Sequence, residues 1–253
     1  MTDESRAQSF NMAAGQYAAS RPSYPPELLD AVEQLTGCGL AGARVADVGA
    51  GTGIATALLY ERGAEVIAVE PGKAMARECR RRLPQVPVVR GDGNSLPLAD
   101  ASCDLVAYAQ SWQWTDPARS VPEALRVLRL TGTLAIWWNT TAFDVPWIRA
   151  QHERIARCCA RKPRPATRPD DNEAVRLAGL TGLRVARRQV RWTRKVSLDV
   201  HLANLGSRSA FLVLGKTRRH AFFAEERKLL GASFPDGTVE EGYLADLLVA
   251  VRP

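Results

Sequence analysis

From residue 44 to about residue 139, short apolar runs alternate with longer amphipathic stretches in a regular way. Five runs read as strands: ARVADVG (43–49), EVIAVE (65–70), VPVVRG (86–91), CDLVAYAQ (103–110) and GTLAIWWN (132–139). The spacing predicts helices between them at 53–62, 73–83 and 117–128. Strands that are apolar throughout belong to sheets covered on both faces, and helices of about ten residues can cross between parallel neighbours. The pattern predicts an α/β fold with a doubly wound, mostly parallel sheet. Its ligand sites then lie at the carboxyl ends of the strands.

The flanks follow other periods. YPPELLDAVEQLTG (24–37) reads as a helix with prolines at its start and Gly37 at its end. DVPWIRAQHERIARCCA (144–160) is helical, RKPRPATRPDDN (161–172) is a proline-rich charged loop, and LRVARRQVRWTRKV (183–196) alternates like an edge strand. Two or three helices are expected over 197–234, and GYLADLLVAVR (242–252) reads as a closing strand, giving seven strands with helices on both faces. The expected organisation is a single domain over 1–253. Residues 1–40 form an N-terminal helical lid, 41–140 the core, 141–235 a second lid with the edge strand, and 236–253 the closing strand.

Composition narrows the class. Hydrophobic residues make up 46% and charged residues 24%, as in a soluble globular chain. No apolar run approaches the ~20 residues that span a bilayer. The polar, acidic start does not read as a secretory signal, so a cytoplasmic location is expected. The five cysteines are scattered without CxxC spacing, which predicts reduced thiols rather than disulfides or a zinc site. The net charge of +7 suits an anionic ligand or nucleic acid, but the arginines are spread along the chain and no recognition motif accompanies them. Nucleic acid is therefore disfavoured as a partner.

Gly49, Gly51 and Gly53 form a G-x-G-x-G turn directly after the first strand. Glycine accepts positive φ and lets backbone approach a ligand, and the following helix offers unpaired N–H groups. Glu70 ends the second strand, where a carboxylate can accept from both hydroxyls of a ribose. A dinucleotide fold has the same outline, but its fingerprint is G-x-G-x-x-G. This turn is one residue shorter and carries Asp47 two residues earlier. Asp92 and Gly93 follow the third strand, placed to pair with an adenine amino group and ring nitrogen.

VADVGAGTG, AVEP, GDGNSLPLADASCDLV and GTLAIWW, in this order and at these separations, resemble class I S-adenosylmethionine-dependent methyltransferases over roughly residues 40–140. YAASRPSYP, SWQWTD, WWNTTAFDVPW and GSRSAF add a looser resemblance to the small-molecule branch around trans-aconitate methyltransferase. One departure is Gln113-Trp114, where such relatives often have His-Trp. The resemblance implies a Rossmann-like sheet, S-adenosyl-L-methionine as cofactor, S-adenosyl-L-homocysteine as product, and no metal. It implies that Asp47 and the turn at Gly49, Ala50, Gly51 and Gly53 hold the methionyl end of the cofactor. Glu70 takes the ribose with Pro71 and Met75 beside it, Asp92 and Gly93 take the adenine, and Gln110 faces the methionyl region.

An activated methyl group needs positioning more than acid–base chemistry, and alignment of the nucleophile can supply up to ~7–11 kcal/mol in ideal cases. Tyr17 and Tyr24 line the pocket, Tyr17 counted with the cofactor and Tyr24 with the acceptor, while Arg21 either pairs with the methionyl carboxylate or lies beside a turn. Trp112, Gln113 and Trp114 after the fourth strand, with Trp138, Asn139 and Trp147 after the fifth, suggest an aromatic-walled acceptor pocket or core filling beneath the lid. Arg208 either meets a substrate carboxylate or caps a lid helix. His152, His201 and Gln113 are the candidates for a catalytic group, and a carboxylate acceptor would need none. The expected reaction is O-, N- or C-methylation of a small molecule, aromatic or carboxylate-bearing. The alternatives are an RNA or protein methyltransferase, against which the fourth strand ends in neither N-P-P-Y nor D-P-P-Y, and a non-catalytic nucleoside-binding protein or an NAD-dependent oxidoreductase.

Overall fold

The computed structural model describes residues 20–159, 179–212 and 214–253. The loop expected at 161–172 and Tyr17 lie outside the described residues. The chain runs through α1 (Pro26–Thr36), β1 (Arg44–Val48), α2 (Ile54–Glu61), β2 (Glu65–Val69), α3 (Lys73–Arg82), β3 (Val88–Val89) and β4 (Cys103–Ala109). After a 3-10 turn at Trp112–Trp114 come α4 (Pro117–Val127), β5 (Leu128–Thr141), α5 (Pro146–Cys158) and β6 (Arg184–Ser197). The chain closes with α6 (Leu198–Gly206), α7 (Ser209–Leu212), α8 (Lys216–Ser233) and β7 (Thr238–Val251). Three helices therefore fill the stretch where two or three were expected. β5 and β7 each start four residues before the predicted runs, and β3 shrinks to two residues.

One seven-stranded sheet has the order β3-β2-β1-β4-β5-β7-β6. β1 pairs in parallel with β2 and β4, β4 with β5, and β7 runs antiparallel between β5 and β6. The chain winds outward from β1 through β2 to β3, then returns to place β4 on the other side of β1. A doubly wound sheet opens its ligand crevice at such a reversal.

Helix ends follow local chemistry. Gly37 closes α1 in the left-handed region at φ 68°. The Asp116 carboxylate accepts from the Ala118 N–H at the start of α4, and the Ser197 hydroxyl accepts from the Val200 N–H at the start of α6. α1 lays Leu28 and Val32 on one sheet face with Val45, Leu59, Trp137 and Leu247. The other face gathers Val106, Tyr108, Trp112, Val121, Leu134 and Leu248. α5 to α8 close around a smaller cluster of Ile155, Leu205 and Phe211, with Phe222 and Phe223 packed against it. Among the described residues β6 is the last strand on its side of the sheet, and Arg184, Arg187, Arg188, Arg191 and Lys195 on it are exposed. Among the described residues no helix is long and apolar enough to cross a membrane.

Candidate active site

At the reversal point the chain leaves β1 through Gly49, Gly51 and Gly53, all left-handed at φ 71°, 59° and 87°. The Gly49 N–H donates to the Val69 carbonyl at 2.8 Å, and Ala50 donates to the same oxygen at 3.1 Å. The Ser111 hydroxyl, one residue beyond Gln110, donates to the Val48 carbonyl at 2.5 Å and ties the ends of β1 and β4 together. A Cβ on Gly49 would stand 2.4 Å from the Ser111 Cβ, and one on Gly53 would stand 2.9 Å from the Cys79 Sγ. One on Gly51 would meet nothing within 4 Å. Packing and dihedral both demand glycine at 49 and 53; at 51 the demand is the dihedral, and the space beside it is open.

The acids sit at the ends of β1 and β2. Asp47 is fully buried, and its Oδ2 accepts from the Thr56 hydroxyl at 2.6 Å. Among the described residues its Oδ1 has no hydrogen-bond partner, and neither does the buried Thr52 hydroxyl. Burial raises the Asp47 pKa to about 6; the Thr56 hydrogen bond opposes the shift and the charge of Glu70 adds to it. Glu70 is also buried, with the Gly51 N–H donating to one oxygen at 2.8 Å and the Gly72 N–H to the other at 2.6 Å. Burial pushes its pKa up, against the lowering effect of those two N–H bonds and of Arg90. Met75 is buried and Pro71 is exposed, with its carbonyl accepting from the Arg90 guanidinium. Asp92 is exposed and accepts from the Asn94 N–H at 2.7 Å, while the buried Gly93 presents its carbonyl to the Tyr108 hydroxyl at 3.2 Å.

Beyond β4, Gln110 holds a left-handed φ of 60°, rare for a residue with a Cβ and a mark of a constrained site. Its side-chain amide donates to the Asn139 carbonyl at 3.1 Å. The Asn139 amide donates to the Ser23 carbonyl at 2.8 Å, and its oxygen accepts from the Trp192 indole at 3.0 Å. Gln113 is exposed and held at both ends, donating to the Gln110 carbonyl at 2.7 Å and accepting from the Trp138 indole at 3.0 Å. The tryptophans divide. Trp112 is wholly enclosed, edge-on to Tyr108 at 4.9 Å, and belongs to the core; Trp114 and Trp147 are half-buried. Tyr24 is buried edge-on to Trp137 at 6.1 Å.

A second buried centre lies on β7. The Glu241 carboxylate accepts from Arg194 at 2.5 Å, Tyr243 at 2.7 Å and Asn204 at 3.3 Å, and its Oε1 lies 2.6 Å from the His201 Nδ1. Burial alone would raise its pKa, but His201 and Arg194 hold it at about 2. The Nε2 of His201 lies 2.9 Å from the Gln151 amide nitrogen, so both ring nitrogens are engaged and the ring is buried. Trp147 packs on His201 at 5.7 Å, and His152 is half-buried against Phe143 at 4.6 Å. Arg21 donates to the Ser207 carbonyl at 3.5 Å. The half-buried Arg208 guanidinium has no hydrogen-bond or ion-pair partner among the described residues. Burial lowers its pKa; Tyr243 and Glu241 oppose the shift and Arg21 adds to it.

A family profile described as a methyltransferase domain matches residues 46–136. The uncharacterized methyltransferase Rv3342 of Mycobacterium tuberculosis is 39% identical over 201 residues, covering 79% of this chain and 76% of that protein. The chain belongs to the class I S-adenosylmethionine-dependent methyltransferases. The demethylmenaquinone methyltransferase of Beutenbergia cavernae is 38% identical over 107 residues, 42% of this chain and 43% of that one. In fold, this methyltransferase is similar to a candidate type II methyltransferase from Anaeromyxobacter dehalogenans, with a TM-score of 0.66 at 23% identity, covering 92% of this chain and 97% of that one.

The family's cofactor fits the residues present. The segment that leaves β1 at the reversal point carries open space beside Gly51 and, among the described residues, an unpartnered Asp47 Oδ1 and an unpartnered Thr52 hydroxyl, and the Gly51 N–H is one of two that fix the Glu70 carboxylate. Among the described residues no group of three or more His, Cys, Asp or Glu is placed to hold a metal. The sequence reading of this methyltransferase missed Thr52, Thr56, Ser111, Trp192, Arg194, Glu241 and Tyr243. Only Glu241 left a trace: it shares the strand face of Val239, Tyr243 and Ala245, where a charge is out of place.

Proposed function

We propose that this methyltransferase passes the methyl group of S-adenosylmethionine to a small-molecule acceptor by in-line displacement. The observation that carries the reading is the pair of buried oxygens on Asp47 and Thr52, unpartnered among the described residues, on the segment that holds the left-handed glycine turn. A buried polar atom without a partner is costly and rare, so it signals a ligand that completes it. When bound, the cofactor supplies an activated methyl on a sulfonium centre. Asp47 then presents a carboxylate to the positively charged methionyl end, and Glu70, already oriented, accepts from the ribose hydroxyls. Asp92 and Gly93 bracket the adenine at the end of β3. Gln110, constrained and tethered to Asn139, sets the wall between cofactor and acceptor.

The acceptor side favours a small, carboxylate-bearing or aromatic molecule. Trp114 and Trp147 offer apolar surface, Arg208 offers a cation without a side-chain partner among the described residues, and the Beutenbergia relative is named for demethylmenaquinone. His201 has no free nitrogen to take a proton, which fits an acceptor that is already a nucleophile.

Calorimetry with S-adenosylhomocysteine tests the cofactor half. The wild type should bind it and not NAD, and Glu70→Ala should weaken binding by about 1–3 kcal/mol through lost charge-assisted hydrogen bonds. Unchanged affinity removes the ribose role. For the acceptor, replacing a substrate carboxylate by its carboxamide should cost about 1.5–3 kcal/mol in kcat/KM with the wild type and little with Arg208→Met. Equal penalties in both proteins would take Arg208 out of the pocket.

A further inference from the structure

Six side chains make an unbroken chain from α8 to the segment before α1. Arg154 grips the buried Glu226 through two bonds of 2.8 and 2.6 Å. The Gln151 amide nitrogen donates to Glu226 at 2.9 Å and lies 2.9 Å from the His201 Nε2. The His201 Nδ1 reaches Glu241 at 2.6 Å, and Arg194 joins Glu241 at 2.5 Å to the Ser20 carbonyl at 2.9 Å.

The direction of every proton in this chain follows from its first link. A carboxylate paired with arginine only accepts, so the nitrogen of Gln151, and not its oxygen, faces Glu226. That nitrogen has a second hydrogen, and it points at the His201 Nε2, which must therefore be the accepting nitrogen. His201 is thus neutral with its hydrogen on Nδ1, aimed at Glu241. An imidazolium would set two donors face to face at Nε2, and turning the Gln151 amide over would set its oxygen against Glu226. The charged and titratable groups around His201 are Arg154 on α5, Glu226 on α8, Arg194 on β6, and Glu241 and Tyr243 on β7; Trp147 and Asn204 add neutral contacts.

The far end of the chain is the Ser20–Ser23 segment. Arg194 holds its first carbonyl and Asn139, at the carboxyl end of β5, holds its last. We infer that His201 is a positioning residue whose Nδ1–H tautomer, dictated by Glu226 through Gln151, orients Glu241 and Arg194 and so straps Ser20–Ser23 against the carboxyl end of the sheet. The inference uses the proposed function only in treating that end as the acceptor side.

Hydrogen–deuterium exchange of the peptide covering residues 20–24, measured on the full chain between pH 5 and pH 8 and corrected for intrinsic rates, tests it. His201→Asn keeps a donor toward Glu241 and should leave the strap as protected as in the wild type. His201→Gln keeps the contact with Gln151, loses that donor, and should speed exchange about tenfold, the loss of one charge-assisted hydrogen bond. Wild-type protection should fall as the buffer is made more acidic, while His201→Asn stays flat. Gln151→Met, which removes the opposing amide and with it the clash of donors, should flatten the wild-type pH dependence and serves if the histidine variants fold poorly. Equal exchange in the two histidine variants, or a wild-type pH profile retained in His201→Asn, overturns the inference. S-adenosylhomocysteine affinity, read by calorimetry on the same proteins, judges the cofactor site separately: its absence from the wild type would sink the proposed function and leave the strap result standing.

Discussion

The two halves of the carboxyl edge treat buried polar atoms in opposite ways. At β1 and β2, Asp47 and Thr52 keep oxygens without partners, and burial lifts the Asp47 carboxyl to about 6. At β7, Glu241 has four side-chain partners and its carboxyl is held at about 2. Both acids are buried to a similar degree, so burial does not separate them; the supply of donors does. One half leaves hydrogen-bonding capacity for a ligand, and the other uses it to fasten β6, β7, α6 and the strap together.

The largest effect expected from breaking this contrast is at Glu241. Glu241→Gln strands the Arg194 charge and weakens the whole centre, and should cost about 3–5 kcal/mol in denaturant unfolding. The linked pH effect has a definite sign. The folded pKa lies below the ordinary 4.5, so the stabilisation is complete above pH 4.5 and is lost as pH falls toward 2. A loss of stability confined to pH values above 5 would contradict it.

Asp47 carries the opposite sign. Its pKa rises from 3.8 to about 6 on folding, so the native chain keeps the proton longer; stability is greatest below pH 4 and declines as pH climbs through 6. Asp47→Asn should therefore make the ligand-free protein about 2–3 kcal/mol more stable at pH 7 while weakening S-adenosylhomocysteine binding. Thermal melts across pH 4 to 8 check the first half, and a variant that is less stable at neutral pH removes the argument. Gly51→Ala should have the smallest effect on stability, about 1 kcal/mol from the left-handed dihedral alone, because no atom lies within 4 Å of the added methyl. Its main consequence should be for cofactor affinity, measured by calorimetry.

What the chain reveals without coordinates follows the same divide. The glycine turn, Asp47 and Glu70 lie within 24 residues, and their spacing relative to β1 and β2 is fixed by local periodicity, so sequence locates them. The centre on β7 joins residues from α5, α6, α8, β6 and β7, and no local pattern announces a convergence over so many elements. Trp112 shows the limit in another form. A tryptophan just after a strand is well placed for a pocket wall, but the 3-10 turn directs its ring inward onto Tyr108. His201 has the residue type of a general base, yet its environment occupies both nitrogens, a fact that depends on Gln151 lying 50 residues away in the chain. β5 and β7 outrun their apolar runs because their first residues mix buried Leu128, Val239 and Glu241 with exposed or half-exposed polar residues, which breaks the apolar pattern that marks the rest of each strand.

The free margin of β6 has a consequence for behaviour in solution. Among the described residues its outermost backbone groups are a template for another strand, but a second molecule docking there in the same way would bring its own basic side chains, Arg184, Arg188 and Lys195 among them, close to those of the first. Repulsion at this margin should oppose such docking in dilute buffer, and raising the ionic strength screens it over a shorter distance. Concentrated salt should thus be the condition in which this protein is most prone to self-associate.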